Sequence, residues 1–259
     1  MAVNLNGPLT ALQVMQDAPV IPVIVLSDVA HAVPMARALV AGGIRMLEVT
    51  LRTPQALACM EAIAKEVPGA VVGAGTVTTP EQLAAVERAG ARFAVSPGLT
   101  PRLTAAARES SFPLLPGVMT TSEAMSAAEA GFTRLKLFPA QQAGGVGMLK
   151  ALYGPLPELR FCPTGGVSVD NAADFLALPN VMCVGGSWLA RRELIDAEAW
   201  DQITALAAQA TAIARARCQY GSPRPGHAGR PRHRRRPRTR SLDFGHYRCW
   251  SCASYRENG

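Results

Sequence analysis

The stretch MLEVTLRTPQALACMEAIAKEVPGAVVGAGT, residues 46–76, contains one complete strand–helix–strand unit. The apolar run at 46–51 predicts a buried strand, the alanine-rich segment at 54–67 has helical spacing, and residues 70–76 predict a second strand. Two strands joined through a helix of this length pair in parallel. The rest of the fold is predicted by repetition of this unit.

The same alternation of strand and helix patterns runs from residue 20 to about residue 215. The predicted strands are 20–26, 46–51, 70–76, 92–98, 113–118, 134–139, 160–165 and 181–187. The predicted helices lie near 31–41, 54–67, 80–89, 101–110, 121–130, 145–152, 169–178 and 197–215, with a short additional helix near 8–17. Eight such units predict an α/β fold consisting of a single (β/α)8 TIM barrel, with the short N-terminal helix covering its bottom. An open doubly wound sheet is disfavoured because no G-x-G-x-x-G follows the first strand.

The basic residues are concentrated at the C-terminus. The formal net charge is +7, yet residues 218–259 hold ten of the 26 basic residues and only two of the 19 acidic ones. This tail is rich in Arg, Pro and Gly and has neither apolar period, so we expect a (β/α)8 domain at 1–217 and a disordered or non-native tail at 218–259. Its abrupt start suggests readthrough or a frameshifted C-terminus. An RNA-binding tail is the functional alternative, because arginine clusters neutralise phosphates, but we do not expect a nucleic-acid partner.

The composition points to a cytoplasmic enzyme without a membrane or metal requirement. No apolar run reaches the ~18 residues that cross a bilayer, and the N-terminus lacks a secretory pattern. Cys59, Cys162 and Cys183 fall in apolar patterns typical of packed, reduced thiols. Cys249 and Cys252 form a lone CxxC pair without a second ligand pair, and His31 is the single histidine before the tail. We therefore expect no metal and no cofactor.

Lys136 is the side chain that a purely structural role explains least well. The other two lysines, Lys65 and Lys150, fall in predicted helices, where a solvated amine is ordinary. Lys136 lies between two leucines in the strand RLKLFP (134–139), so it points into the barrel if the leucines face the helices. Lysine is rarely buried unless it is paired or used, and burial favours the neutral amine that attacks a carbonyl. A structural ion pair with Glu48 is the alternative.

Glu48 and Arg52 lie on one face of the second predicted strand, MLEVTLRT (46–53). A carboxylate within a buried strand is costly without a partner, so Glu48 either pairs with Lys136 or shuttles protons, and it can do both. Arg52 follows the strand end, where its planar guanidinium suits a substrate carboxylate. A surface salt bridge is the alternative for Arg52.

Glycine pairs follow the last two predicted strands. PTGGVS (163–168) and VGGSW (184–188) expose backbone N–H groups, and each precedes a helical segment. Phosphate sites in these barrels commonly form from the loops after strands seven and eight, so we expect an anion site here. Tight turns without a ligand are the alternative. GAGT (73–76) and SPG (96–98) close the third and fourth strands, and their glycines would let a substrate approach the backbone closely. Thr76 adds a hydroxyl, but any tight turn could use these residues, so they indicate a site only weakly.

Six motifs together resemble the bacterial 2-keto-3-deoxy-6-phosphogluconate (KDPG) and 2-keto-4-hydroxyglutarate (KHG) aldolase family. They are LEVTLRT (47–53), GAGTV (73–77), SPGLT (96–100), LKLFPA (135–140), FCPTGG (161–166) and GGSW (185–188). The resemblance extends from about Asp17 to Arg215. It implies a cytoplasmic, homotrimeric, metal-independent class I aldolase that splits 2-dehydro-3-deoxy-6-phosphogluconate, a phosphorylated 2-keto acid, into pyruvate and glyceraldehyde 3-phosphate.

The resemblance also implies roles for individual residues. Lys136 matches the Schiff-base lysine and Glu48 the general acid and base. The expected substrate-binding residues are Arg52 and Thr76 at the pyruvate carboxylate, Pro97 and Phe138 walling the pyruvyl pocket, and Thr164 at the sugar-acid hydroxyls. The expected phosphate-binding residues are Gly165, Gly166, Gly185, Gly186 and Ser187. The tail departs from the family pattern, which ends near residues 214–217.

Several alternatives for the function remain open from the sequence. The preferred substrate could be the galactonate epimer or unphosphorylated 4-hydroxy-2-oxoglutarate, which would yield pyruvate and glyoxylate. A metal-dependent aldolase or a phosphosugar isomerase could use the same fold. A protein that binds nucleic acid through its tail is the alternative that is not an enzyme.

Overall fold

Eight parallel strand positions close into a barrel in the computed structural model, which describes the backbone of residues 7–220 and the side chains of residues 7–213. The strands are β1 (Val20–Ile24), β2 (Met46–Thr50), β3 (Val71–Gly75), β4 (Ala94–Val95), β5 (Leu114–Leu115), β6 (Gly117–Val118), β7 (Arg134–Leu137), β8 (Arg160–Pro163) and β9 (Val184–Gly186). Every predicted strand is present, and the predicted barrel is confirmed.

The fifth strand position is divided in two by Pro116, which cannot donate a backbone hydrogen bond. β5 pairs with β4, and β6 pairs with β7. The carbonyl of Pro116 still accepts a bond from the Lys136 N–H at 2.9 Å, so the two halves bridge neighbouring strands. β8 and β9 occupy the seventh and eighth positions. They meet at the bridges Phe161–Val181 and Thr164–Gly185, and β9 pairs with β1 to complete the ring.

Helices surround the barrel in the predicted order. They are α1 (Ala11–Asp17), α2 (Ala32–Ala41), α3 (Ala56–Glu66), α4 (Pro80–Arg88), α5 (Pro101–Glu109), α6 (Thr121–Glu129), α7 (Gly145–Tyr153), α8 (Ala172–Leu176), α9 (Arg192–Asp196) and α10 (Trp200–Tyr220), with 3-10 turns at Val29–His31 and Trp188–Ala190. The sequence did not predict α9, because five residues are too few to show a helical period. α10 starts later than expected and extends through Tyr220.

Threonine caps begin three of the helices that follow barrel strands. The side chains of Thr79, Thr100 and Thr120 each accept a hydrogen bond from the backbone N–H three residues later. Proline follows Thr79 and Thr100 at the first helical position, where its missing N–H is harmless. These caps start the helices at defined residues and so give each βα loop a defined end.

Two apolar layers hold the barrel together. The outer layer, between strands and helices, contains Leu47, Val49, Leu135 and Leu137. The inner layer lies at the amino ends of the strands and contains Ile21, Met46, Val71, Phe93, Cys162 and Cys183, together with Val14 and Met15 from α1. α1 therefore covers the bottom of the barrel, as predicted. Above this apolar layer the interior becomes polar, because Glu48 and Lys136 project inward from strands whose leucines project outward.

Among residues 7–220, no helix combines the length and the apolar character needed to span a bilayer. The expectations for residues 221–259, including the tail's disorder, its possible RNA binding and its CxxC pair, lie outside the described residues.

Candidate active site

A buried ion pair between Lys136 and Glu48 lies in the centre of the barrel. Lys136 Nζ is 3.2 Å from Glu48 Oε1, and the two residues are 4% and 3% exposed. They come from β7 and β2, separated by 88 positions along the chain. Both side chains point inward, so the predicted orientation of Lys136 is confirmed. The ion pair with Glu48, which was the purely structural alternative for Lys136, is also present. Because the two groups share a hydrogen bond, Lys136 can pass a proton to the carboxylate of Glu48.

Glu48 is held against the backbone of β3. A side-chain methyl group built on Gly75 would lie 2.4 Å from Glu48 Oε1 and 2.8 Å from its Cγ. Glu48 pairs in register with Gly73 on this neighbouring strand, and β1 offers Val23 at the same level. Gly75 therefore leaves the space that the carboxylate occupies beside Lys136.

Cys183, a buried thiol near Glu48, adds no further charge to the interior. A hydrogen bond with Cys162 and burial raise the pKa of Cys183 well above its ordinary value, and the nearby Glu48 charge raises it further. Cys183 therefore stays a neutral thiol at physiological pH. Cys59, Cys162 and Cys183 are buried and form no disulfide, in agreement with the sequence.

A cleft of about 250 Å³ opens at the carboxyl ends of the strands, and neither Lys136 nor Glu48 is among the residues that line it. It is lined by Val23, Arg52, Phe138, Thr164, Gly165, Gly166, Val167, Gly185 and Ser187. The ring of Phe138 connects the cleft to the ion pair, since its centroid is 5.2 Å from Lys136 Nζ. The volume lies near the lower end of small-molecule sites, which span roughly 300–1,000 Å³. A compact metabolite fits such a space.

The glycines after β8 adopt backbone conformations that other residues rarely adopt. Gly165 has φ +97° and Gly166 has φ +75°. A methyl group on Gly166 would also lie 2.5 Å from Cβ of Gln141. This turn brings the backbone of residues 165–167 to the wall of the cleft.

The glycines after β9 are required by close contacts rather than by unusual dihedral angles. A methyl group on Gly185 would lie 2.1 Å from Thr164 Oγ1, and one on Gly186 would lie 2.1 Å from the Trp188 ring. Gly185 and Ser187 line the cleft, whereas Gly186 serves the packing of Trp188. Three of the four glycines, Gly165, Gly166 and Gly185, therefore line the cleft from two neighbouring strand positions.

Arg52 is exposed at the rim of the cleft. Within residues 7–220, no carboxylate lies within ion-pair distance of its guanidinium. The surface salt bridge that the sequence left open is therefore not formed with a described residue. A cation at the rim of a cleft suits a bound anion.

Two other predicted site residues, Thr76 and Pro97, do not line the cleft. Thr76 follows β3 and has φ +62°, an unusual conformation for a β-branched residue. Pro97 follows β4, and its carbonyl oxygen would be 2.3 Å from a methyl group on Gly117. Both belong to the same face of the barrel as the cleft, because both follow the carboxyl ends of strands.

Two cleft residues, Val23 and Val167, were not predicted from the sequence. Strand alternation contained the signal for Val23, since Ile24 belongs to the outer apolar layer and its neighbour must point inward. No local pattern identifies Val167. Within the described chain, no group of three or more His, Cys, Asp or Glu side chains is arranged to hold a metal ion.

Residues 12–206 match a family model described as KDPG and KHG aldolase. The 2-dehydro-3-deoxy-phosphogluconate aldolase of Dickeya dadantii (strain 3937) is 53% identical over 211 residues, which cover 82% of this chain and 99% of that protein. The KHG/KDPG aldolase of Escherichia coli (strain K12) is also 53% identical, over 79% of this chain and 96% of that protein.

A solved structure extends the similarity to three dimensions. KDPG aldolase from Legionella pneumophila, with pyruvate captured at low pH as a covalent carbinolamine intermediate, superposes with a TM-score of 0.77 at 47% identity. The match covers 78% of this chain and 98% of that one. The aligned part therefore corresponds to nearly the whole length of each of these proteins.

Proposed function

This chain belongs to the KDPG and KHG aldolase family, and we propose that it is a class I aldolase that uses Lys136 as its Schiff-base residue. The proposed reaction converts 2-dehydro-3-deoxy-6-phosphogluconate to pyruvate and glyceraldehyde 3-phosphate. The observation that carries the proposal is the buried amine 3.2 Å from a carboxylate and 5.2 Å from the ring of Phe138, a residue that lines the cleft.

The first half of the reaction forms the imine. The ammonium proton of Lys136 passes to Glu48 along their hydrogen bond, and the neutral amine attacks the C2 carbonyl of the substrate. The resulting carbinolamine loses its hydroxyl as water when Glu48 returns the proton. The product is a protonated imine and an ionised Glu48.

The second half breaks the C3–C4 bond. Glu48, directly or through a water molecule, takes the proton of the C4 hydroxyl, and the electrons of the breaking bond move into the iminium. Glyceraldehyde 3-phosphate leaves, and an enamine of pyruvate remains on Lys136. Glu48 then donates its proton to C3, and hydrolysis of the imine releases pyruvate and the free lysine.

The cleft residues orient the substrate in this proposal. Arg52 and Thr76 hold the carboxylate, Phe138 and Pro97 bound the pyruvyl group, and Thr164 contacts the hydroxyls. Gly165, Gly166, Gly185, Gly186 and Ser187 form the phosphate end. Arg52, Phe138 and the glycine turns lie around one cleft, which supports these roles. Binding energy from the remote phosphate would help to align the scissile bond.

Cleavage of 4-hydroxy-2-oxoglutarate to pyruvate and glyoxylate is proposed as a second activity, because it needs the same amine and carboxylate. Comparison of kcat/KM for the phosphogluconate-derived substrate, its galactonate epimer and this unphosphorylated acid would rank the three. Homotrimeric assembly, proposed from the family resemblance, is tested by the mass of the purified protein in light scattering. Cytoplasmic location, proposed from the sequence pattern, is tested by cell fractionation.

Borohydride reduction in the presence of pyruvate tests the proposed nucleophile. Mass spectrometry of the wild-type protein should find one reduced pyruvyl adduct on Lys136, and Lys136→Ala should abolish both the adduct and pyruvate release in a lactate dehydrogenase-coupled assay. Lys150→Ala is the matched control, because Lys150 is an exposed lysine on α7. An adduct on another residue, or activity that EDTA removes, would contradict the proposal.

A further inference from the structure

The glycine turn after β8 is held from outside the cleft by two hydrogen bonds to its carbonyl groups. The carbonyl of Gly165 accepts a bond from the backbone N–H of Gln141 at 3.0 Å. The carbonyl of Gly166 accepts a bond from Asn171 Nδ2, also at 3.0 Å. Asn171 Oδ1 in turn accepts a bond from the backbone N–H of Ser168 at 2.9 Å. One asparagine side chain thus spans the turn.

These carbonyl contacts determine where the adjoining N–H groups point. The peptide bonds of the turn are trans, so each carbonyl points away from the N–H of the same peptide unit. The N–H groups of Gly166 and Val167 are therefore directed away from Gln141 and Asn171. Within residues 7–220 no group accepts a hydrogen bond from either of them, and both residues line the cleft. The turn presents two free donors on its cleft side.

The side chain of Asn171 joins the glycine turn to Ser168, the residue that begins the following helical turn. Asn171 is the residue that precedes α8, where an asparagine commonly accepts a bond from the first turn of the helix. No such capping bond is present here. Both of its side-chain groups are directed back to residues 166 and 168 instead. Loss of the side chain would therefore release both the glycine turn and the backbone N–H of Ser168, whose carbonyl accepts the first i→i−4 hydrogen bond of the following helix.

We propose that Asn171 is a positioning residue that orients the Gly166–Val167 peptide for the phosphate of the substrate. The inference rests on the proposed aldolase function and adds a residue that makes no contact with substrate. Two consecutive glycines have large conformational freedom. A turn that is already oriented loses less entropy when the anion binds. Asn171 thus makes the enzyme selective for a phosphorylated substrate over one without a phosphate.

The test compares two substrates in Asn171→Ala. For 2-dehydro-3-deoxy-6-phosphogluconate we expect KM to rise and kcat/KM to fall up to about tenfold, the upper end of the effect expected for loss of one neutral hydrogen bond. For 4-hydroxy-2-oxoglutarate, and for borohydride trapping of pyruvate, we expect changes within twofold. Inorganic phosphate, used as a competitive inhibitor, should bind several-fold more weakly to the variant.

Two further variants make the outcome specific. Asn171→Asp keeps the acceptor for Ser168 and loses the donor to Gly166, so it should show the same selective loss. Asp170→Asn changes an exposed neighbour and should leave both substrates unaffected. An equal fall of kcat/KM for both substrates, or unchanged phosphate inhibition, would overturn the inference. If the wild-type protein released no pyruvate and formed no adduct, the proposed function itself would fail.

Discussion

At the residue scale, the proposed chemistry depends on the ion pair between Lys136 and Glu48 at the centre of the barrel. A buried carboxylate and a buried ammonium stabilise each other only when both are present, and removal of one partner leaves an uncompensated charge. The Lys136–Glu48 pair is therefore not explained by its contribution to the stability of the fold. An amine that can pass its proton to a carboxylate 3.2 Å away is suited to attack a carbonyl.

Glu48→Gln keeps the shape of the side chain and removes its ability to carry a proton. We expect kcat for pyruvate release to fall by about 10²–10⁴, the usual contribution of a general acid–base group. The lactate dehydrogenase-coupled assay measures it. Glu129→Gln, at an exposed position on α6, is the control, and its kcat should stay close to that of the wild type. A Glu48→Gln enzyme within twofold of wild type would remove Glu48 from the mechanism.

Gly75→Ala should impair catalysis by displacing Glu48, because the added methyl group would lie 2.4 Å from Oε1. We expect kcat to fall at least tenfold while an adduct with pyruvate can still form on Lys136. Gly147→Ala is the matched control. It lies on α7 with nothing within 4 Å of the added methyl, and it should raise stability by about 0.4–1 kcal/mol. Equal kcat for wild type and Gly75→Ala would show that Glu48 tolerates the shift.

At the element scale, the βα loops end in helix caps that keep the site's framework in place. α6 begins with a capping box in which Thr120 accepts from the Glu123 N–H, and Glu123 Oε2 accepts from the backbone N–H groups of Met119 at 2.6 Å and Thr120 at 2.9 Å. The backbone bond from Met119 lowers the pKa of the Glu123 carboxyl below its ordinary value, against a smaller opposing effect of burial. The loop after β6 therefore depends on an ionised Glu123.

Glu123→Gln should reduce stability in a pH-dependent way. Because the folded-state pKa is lowered, the ionised group stabilises the protein above the unfolded-state pKa of about 4.3, and this stabilisation is lost as the pH falls through the folded-state value. The difference in Tm between wild type and variant should be largest near pH 7 and should shrink as the pH falls below about 4. Circular dichroism melts across this range measure it. A difference in Tm that does not change with pH would contradict the role of the charge.

At the scale of the whole molecule, the barrel is completed by α10, which packs on α2. Thr204 and Thr211 donate to the carbonyls of Ala38 and Gly42 at 3.0 and 3.2 Å. Gly42 is needed there, since a methyl group would lie 2.4 Å from Cβ of Ala207. α10 thus packs the C-terminal end of the barrel domain against α2, which lies in its N-terminal half. The arginine-rich segment begins only after this helix.

A chain shortened to residues 1–220 should therefore keep its activity. We expect kcat and KM for the phosphorylated substrate to stay within twofold of the full chain, because no residue of the proposed mechanism is removed. Any salt-dependent RNA binding should disappear, because ten arginines are deleted. A filter-binding titration at two salt concentrations and the coupled assay measure both properties. Loss of cleavage on truncation would show that the tail belongs to the functional enzyme.

The repeated strand–helix unit, the strand count and the two reactive side chains could all be predicted from the sequence. Periodicity identifies strands locally, and Leu135 and Leu137 on the outer face of β7 leave Lys136 only the interior. The division of the fifth strand at Pro116 was not predicted, although a proline within a strand pattern indicates an interrupted strand. α9 was missed because it has too few residues for a period.

Residue type and local alternation by themselves therefore determined the barrel class, the inward amine and the inward carboxylate. Only the tertiary structure decided that these two groups meet, that Gly75 leaves space for Glu48, and that Asn171 turns back to hold the glycine turn. The reason is that closing a barrel brings together residues that are distant in the chain, such as Lys136 and Glu48 at a separation of 88 positions. No local pattern records which of them come within hydrogen-bond distance.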